Sequence, residues 1–422
     1  MPEINLGYGD SSFAFKFDQS QYTILTPDPR MEIPLRDEKI GEAFDSPIDS
    51  RPLDEIVSPE DSVLIVASDA TRATGSAQVV NLLVRRVIQY GVSPSNIAII
   101  FATGIHRTVT THEKADLLSP FIAQRIKTLN HDAYDAASLV HIGTTEQGAA
   151  VEVNRALREF ERVIIVGGVG FHYFAGFTGG RKSISPGLAS AATIEATHML
   201  ALDFESGGRR AGVGTGFLEG NAVHEACEGI AAMIDPAFAI NTIVDEKGRV
   251  VGLFCGHWRS SHRAACDYYL NHHSVYIHEK RKLVITSCGG SPYDINLIQA
   301  HKALDMASYA CAEGGAIVLL AECRDGLGRP DFLKWFDEAD SRALERRLRS
   351  GYEVNGQTAW ALLTKAERYR VYLISNLDDA LVRKMRMIPV RGLAEAINEI
   401  GSGTTGYIMS RGAAVLPRVF DH

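Results

Sequence analysis

Long apolar runs without a polar interruption recur along this chain and alternate with helical patterns. The runs are "SVLIVASD" (Ser62 to Asp69), "NIAIIFATG" (Asn96 to Gly104) and "RVIIVGG" (Arg162 to Gly168). A strand with one wet face alternates polar and apolar residues, so an unbroken β-branched run needs burial on both faces, as in a parallel sheet between helices. Helical signals fall where such a sheet needs crossovers. "SAQVVNLLVRRVIQYG" (Ser76 to Gly91) has helical periodicity and a terminal glycine, and Thr110 with Glu113 has capping-box spacing. After a helical stretch, Ser260 to His273, that can serve as a hinge, the pattern restarts with a strand at Lys282 to Gly290. There follow the helix "NLIQAHKALDMASYACAEGG", the strand "AIVLLAEC", a helix near Arg342 to Arg349, the strand Tyr369 to Leu377 and the helix "GLAEAINEIG". The expected fold class is α/β: two α/β domains with parallel or mixed sheets and an interdomain active-site cleft. Residues 1–275 form the first domain and 276–422 the second. The last segment, "TGYIMSRGAAVLPR", reads as strand, turn and strand, assigned to neither domain by pattern alone.

Composition removes several function classes. The net charge of −8 argues against a nucleic-acid binder, which needs a basic face. No apolar run reaches the roughly 18 residues that span a bilayer, and the charged N-terminus lacks the apolar core of a signal peptide. The six cysteines, Cys227, Cys255, Cys266, Cys288, Cys311 and Cys323, are scattered with no CxxC pair, which fits reduced thiols in a cytoplasmic protein.

In an open parallel sheet, ligands collect beyond the carboxyl ends of the strands. The first run is followed by Asp69 and Arg72, the second by His106 and Arg107, and the third by "GFHYFAGFTGGRKS" with His172, Arg181 and Lys182. The restarted pattern leads into a helix with Gln299 and Lys302. Each has an ordinary reading too. Asp69 and Arg72 can form a turn salt bridge or a helix cap, His106 can be a satisfied loop histidine, and His198 sits on a helix where a structural role is common. "GFTGGRKS" resembles a phosphate loop, but that motif needs glycine directly before the lysine, where this chain has Arg181. Gly176, Gly179 and Gly180 still let backbone N–H groups approach a phosphate. No G-x-G-x-x-G opens a helix after a strand, so a diffusible dinucleotide has no fingerprint here. Four loops in phase with their strands favour one shared site. Two loop histidines, His106 and His172, suit acid/base work on opposite faces of a small molecule, and Arg72 and Lys302 offer charge to a carboxylate.

Together, "SDATR", "ATGIHR", "HYFAGFTGGRKSISPG", "TIEATH" and "QAHK" resemble the nickel-dependent lactate racemase family, from about Ser62 to the last strands. The resemblance implies a racemase or epimerase that inverts C2 of a 2-hydroxy carboxylic acid by hydride abstraction and return. The implied cofactor is a nickel-pincer nucleotide, a pyridinium mononucleotide holding nickel through two sulfur-bearing arms and a ring carbon. By the same resemblance Lys182 is its covalent attachment point and His198 the protein's nickel ligand. His106 and His172 are the acid/base pair. Asp69, Arg72, Gly176, Gly179 and Gly180 bind the cofactor, the glycines by letting the backbone lie against its phosphate. Arg72, Gln299, Lys302, Ile298 and Gln357 line the substrate. A tethered cofactor also implies maturation enzymes as partners; neither nucleic acid nor membrane is expected. Where the lactate-specific enzyme has a tyrosine before the glutamine of "QAxK", this chain has Ile298; where it has a tryptophan, the local string is "NGQTAWA", with Gln357 and Trp360. The two changes point to a larger or more polar 2-hydroxy acid than lactate. The alternative from another class is a phosphate-loop nucleotide-binding transferase without nickel.

Overall fold

The computed structural model describes residues 1–28, 33–69 and 74–420. The chain folds as two compact units. One comprises Pro29–Ala201 and Arg210–Asn271, the other Met1–Asp28, Leu202–Arg209 and His272–His422. The switch at His272 lies near the expected boundary. The division differs from a single cut there because the N-terminal residues and a short internal segment join the second unit.

In the first unit, the unbroken runs become adjacent strands of a six-stranded sheet. Its spatial order is Val250–Gly256, Phe238–Val244, Arg162–Gly168, Val63–Ser68, Ile97–Ala102 and Lys127–Leu129. All neighbours are parallel except the Val250–Gly256 edge. Register pairs Val63 with Ile97 and Val66 with Ile165. The burial pattern explains the lack of alternation. Ile65, Ile99 and Phe101 pack into one core with Val79, Leu83 and Val87 of the helix Ser76–Gln89. Leu64, Ala98, Ile100 and Ile165 enter a second core on the other face with Ile184, Leu188 and Ile230. Full burial of a Val, Leu or Ile side chain stabilises by about 1.5–3 kcal/mol, so a polar residue inside either strand would be costly. The first strand of the sheet lies between the second and the fourth. Winding therefore reverses between Val63–Ser68 and Arg162–Gly168, which makes their carboxyl ends the topological switch point.

In the second unit, six strands are all parallel, in the order Ile388–Pro389, Arg370–Ile374, Cys311–Leu320, Arg281–Ser287, Gly406–Met409 and Tyr22–Ile24. The N-terminal hairpin Glu3–Tyr8 and Ser11–Lys16 belongs here for an energetic reason. Leu6, Phe17 and Tyr22 are buried with Leu283, Ile285, Val318 and Ile408 in one core. Strand Gly406–Met409 lies within this sheet, and Leu416–Val419 pairs with Ser274–Ile277 in a separate two-stranded sheet.

Some local expectations shift. The helix expected through "CAEGG" ends at Ala310, and those residues open the strand Cys311–Leu320, with a register irregularity opposite Arg281 to Leu283. The helix Val354–Arg368 and the hairpin Leu139–Thr144 with Ala150–Asn154 are elements the sequence pattern did not yield. The capping box at Thr110 forms as expected, with both reciprocal bonds present on the helix Thr111–Leu117. All six cysteines are buried free thiols. Among the described residues no helix is long and apolar enough to cross a membrane.

Candidate active site

Beyond the first strand of the switch point stands Asp69, only 3% exposed. Its Oδ2 accepts a hydrogen bond from His106 Nδ1 at 2.9 Å. A carboxylate can only accept, so the proton of the neutral ring sits on Nδ1 and the lone pair on Nε2. The His106 side chain is half exposed and free to meet a small molecule. Its loop is held against the neighbouring one. The Gly104 N–H donates to Gly187 O at 2.8 Å, with Gly104 at φ +55°.

Beyond the fourth strand the chain makes a small hairpin, Phe171–His172 against Gly176–Phe177, pairing Phe171 with Phe177 and His172 with Gly176. Its turn folds back over the histidine. The N–H groups of Ala175 and Phe174 donate to His172 Nδ1 at 3.2 and 3.5 Å. Nδ1 therefore carries the lone pair and the neutral ring's proton lies on Nε2, the opposite of His106. Nε2 is 3.1 Å from Lys182 Nζ.

Lys182 and its neighbours lie in the 3₁₀ turn Gly180–Ser183, entirely buried. The turn covers the end of the strand: a Cβ on Gly167 would meet Ser183 Oγ at 3.1 Å and Gly179 Cα at 3.3 Å. Gly176 and Gly180 have φ of +77° and +50°. A Cβ there would stand 2.0 Å from Phe217 O and 2.5 Å from the His262 ring. At Gly179 it would reach Val169 Cγ2 at 2.8 Å. Backbone conformation and contacts within the protein already require these three glycines, without an appeal to a phosphate.

His198 lies on the helix Ala191–Met199, capped by Ser190, whose side chain accepts from Thr193 N. Its Nδ1 donates to Ile194 O at 2.7 Å, leaving Nε2 as the ring's electron-pair donor. Burial first, and the cationic form of Lys182 second, push its pKa down to about 3, so the ring is neutral at physiological pH. A neutral imidazole with its tautomer fixed by a backbone carbonyl is the form that binds a metal. Among the described residues no group of three or more His, Cys, Asp or Glu is arranged to hold a metal ion. A metal resting on His198 must then bring most of its ligands with it. Phe174 links the group: its ring centroid lies 4.4 Å from that of His172 and 5.0 Å from that of His198, and Lys182 Nζ is 5.4 Å from it. Sequence reasoning passed over Phe174, whose position between the histidine and the glycine loop was its only signal.

Arg72 lies outside the described residues. In the second unit, Gln299 and Lys302 share the helix Leu297–Ala310, and Lys302 Nζ donates to Gln299 Oε1 at 2.6 Å. Asn296 caps that helix by accepting from Gln299 N at 3.0 Å. Ile298 is partly buried on the same helix, and its carbonyl accepts from His301 Nδ1. Gln357 is 1% exposed, and its Oε1 accepts from Tyr352 OH, a bond the sequence did not suggest.

A doubly wound α/β unit with two histidines and a buried lysine at its switch point has the make-up of an enzyme. The comparisons with known proteins say which kind. The sequence matches the lactate racemase N-terminal domain over residues 8–208 and the lactate racemase C-terminal domain over residues 277–407. It is 29% identical over 406 residues to the lactate racemase of Thermoanaerobacterium thermosaccharolyticum, covering 94% of both chains. It is 30% identical over 369 residues to that of Lactiplantibacillus plantarum, covering 86% of this chain and 85% of the other. The fold superposes on the T. thermosaccharolyticum lactate racemase apoprotein with a TM-score of 0.91 at 27% identity, covering 99% of this chain and 100% of that one. A Thermotoga maritima protein shares the fold at a TM-score of 0.67 and 20% identity, covering 92% of this chain and 99% of that one. The chain belongs to the lactate racemase family and is an isomerase, which displaces the phosphate-loop transferase alternative.

The site rests on a buried layer whose titration is measurable. His224 is 3% exposed, and burial, followed by the charges of Arg181, Arg263 and Arg259, lowers its pKa from 6.5 to about 3. The unfolded chain therefore binds the extra proton between these values. This contribution to stability is complete above about pH 6.5 and is lost as pH falls toward 3. Replacing His224 by Gln is expected to flatten the rise of unfolding free energy with pH between 4 and 6, by about 1.4 kcal/mol per pH unit. Chemical denaturation across that range checks it; an unchanged slope refutes it.

Proposed function

We propose that this racemase inverts C2 of a 2-hydroxy carboxylic acid, with His106 and His172 as the acid/base pair and a nickel-pincer nucleotide held by Lys182 and His198. The observation that carries the reading is the pair of histidines on loops at the switch point, each ring held through its Nδ1, by Asp69 for His106 and by the Ala175 N–H for His172. Inversion needs one group in its neutral form to accept a proton and another in its imidazolium form to give one. In one direction His106 takes the hydroxyl proton of the substrate while Asp69 holds the resulting imidazolium. His172, entering this direction as the imidazolium with both nitrogens protonated, returns its Nε2 proton to the oxygen once C2 has been planar and has presented its other face, and is left neutral. In the reverse direction the two exchange roles.

The residues fit the implied cofactor. His198 supplies the single neutral nitrogen that a metal carrying its own sulfur ligands requires. Lys182 presents a buried amine beside His172, and Asp69, Arg72 and the glycine turn complete the cofactor-binding set in this reading. When bound, the group supplies the acceptor for the hydride at C2, chemistry that no amino-acid side chain offers. Arg72 and Lys302 are assigned to the substrate carboxylate, with Gln299 beside Lys302.

Cofactor-loaded protein is expected to carry a covalent adduct at Lys182 that Lys182→Ala abolishes, and a nickel content that His198→Ala removes while the far-ultraviolet spectrum is unchanged. An undiminished adduct or full nickel retention overturns the corresponding assignment. For the acid/base pair, His106→Ala and His172→Ala should each lower racemisation by about 10²–10⁴-fold in both directions. A variant that keeps near-normal rates excludes its histidine.

The relatives are named for lactate, and this chain departs from the lactate-specific pattern at Ile298 and Gln357. With Gln357 Oε1 occupied by Tyr352, the case for a polar side chain weakens, and the volume argument at Ile298 remains. One methylene in an apolar pocket is worth about 1–3 kcal/mol. We expect kcat/KM for 2-hydroxybutyrate to exceed that for lactate when both are measured with malate, phenyllactate and gluconate under one set of conditions. A highest value for lactate removes this specificity while leaving the reaction type intact.

A further inference from the structure

We infer that Arg181 is a positioning residue whose guanidinium clasps the hairpin and turn so that His172 and Lys182 face each other. The inference rests on the roles proposed above for those two residues. Arg181 is 1% exposed, and its two terminal nitrogens reach around the loop that precedes it. Nη2 donates to Ala175 O at 2.8 Å. Nη1 lies 3.0 Å from Phe177 O, 3.4 Å from Gly179 O and 3.0 Å from His262 Nε2. His262 Nε2 also lies 3.0 Å from Thr178 O, a carbonyl that can only accept, so the ring packs between the guanidinium and that loop carbonyl. Burial first, then the Arg181 charge, hold His262 well below the usual histidine range.

The bonds close a circuit. Arg181 holds the carbonyl of Ala175; the N–H of Ala175 holds His172 Nδ1; His172 Nε2 meets Lys182 Nζ; and Lys182 is the next residue after Arg181. One residue, Ala175, therefore transmits the clasp to the orientation of the His172 ring. Arginine suits this place because its planar fork presents several donors in fixed directions, whereas an ammonium is a compact point charge on a flexible stem. The arrangement is costly. All three acceptors are uncharged carbonyls, burial disfavours the cation and Nε has no hydrogen-bond partner. Packing alone would favour an apolar side chain in such a place. The same residue breaks the phosphate-loop motif in the sequence: a glycine there would offer an N–H to a phosphate but would leave the three loop carbonyls without this donor.

The test uses cofactor-free protein, so it does not depend on nickel or on activity. Amide hydrogen exchange is followed at Phe174 and Ala175, whose N–H groups donate to His172, and along the strand Arg162–Gly168. Acylation of Lys182 by an amine-reactive ester is measured in parallel by peptide mass spectrometry. In Arg181→Gln and in Arg181→Lys, we expect the two turn amides to exchange at least tenfold faster while the strand amides keep wild-type protection. The Lys182 acylation rate should change by at least threefold. A charge-only role predicts that Arg181→Lys behaves as wild type, and that result overturns the proposal. So do wild-type turn amides in Arg181→Gln. If turn and strand lose protection together in both variants, His262→Gln, which alters one neighbour of the guanidinium only, decides. Faster exchange confined to the turn supports the clasp, and any other pattern refutes it. A Lys182 adduct missing from loaded wild-type protein would sink the tether reading by itself, since the exchange data are taken without cofactor.

Discussion

Burial of a parallel sheet on both faces is the constraint from which the rest follows. Once Leu64 and Ile65 point into opposite cores, neither face of the strand has room for polar chemistry. Reactive groups are confined to the strand ends, and at the switch point two loops diverge to leave space between them. Asp69 comes from one of those strands and the His172 hairpin from the other. His106, from the next strand, joins them because Gly104 is tied to Gly187. The fold thus delivers two histidines and a lysine to the carboxyl ends of one sheet.

Burial also sets the protonation of the site. His198 is kept neutral by its apolar surroundings and oriented by one carbonyl, which suits it to donate an electron pair rather than a proton. His172 is oriented by two N–H groups and His106 by a carboxylate.

The comparisons make the chain a lactate racemase relative at about 30% identity, and the differences are informative at particular positions. Ile298 stands, partly buried, on the helix that also carries Gln299 and Lys302. Gln357 has its carbonyl oxygen committed to Tyr352 inside the second unit. A change that reads as polar in the sequence is thereby largely a matter of internal packing.

The sequence by itself determined the architecture and the inventory of reactive residues. Period and length of the apolar runs require parallel strands buried on two faces, and residues that follow strands in such a sheet fall at its functional edge. His106, His172 and Lys182 were legible as candidates on that basis, and His198 through the resemblance of its motif. Only the tertiary structure decided what each group does to its neighbour. The glycines at 176, 179 and 180 read as a cradle for phosphate, yet their positive φ and the atoms of Phe217, Val169 and His262 account for them. The N-terminal residues read as a lead-in to the first domain, yet Leu6 and Phe17 fill the core of the second. Arg181 read as a flaw in a motif and is the clasp of the loop. The reason is common to all three. Periodicity and spacing report which face of an element is buried, whereas a tautomer, a forced glycine or a buried cation depends on atoms brought from distant parts of the chain, and those meet only when the chain is folded.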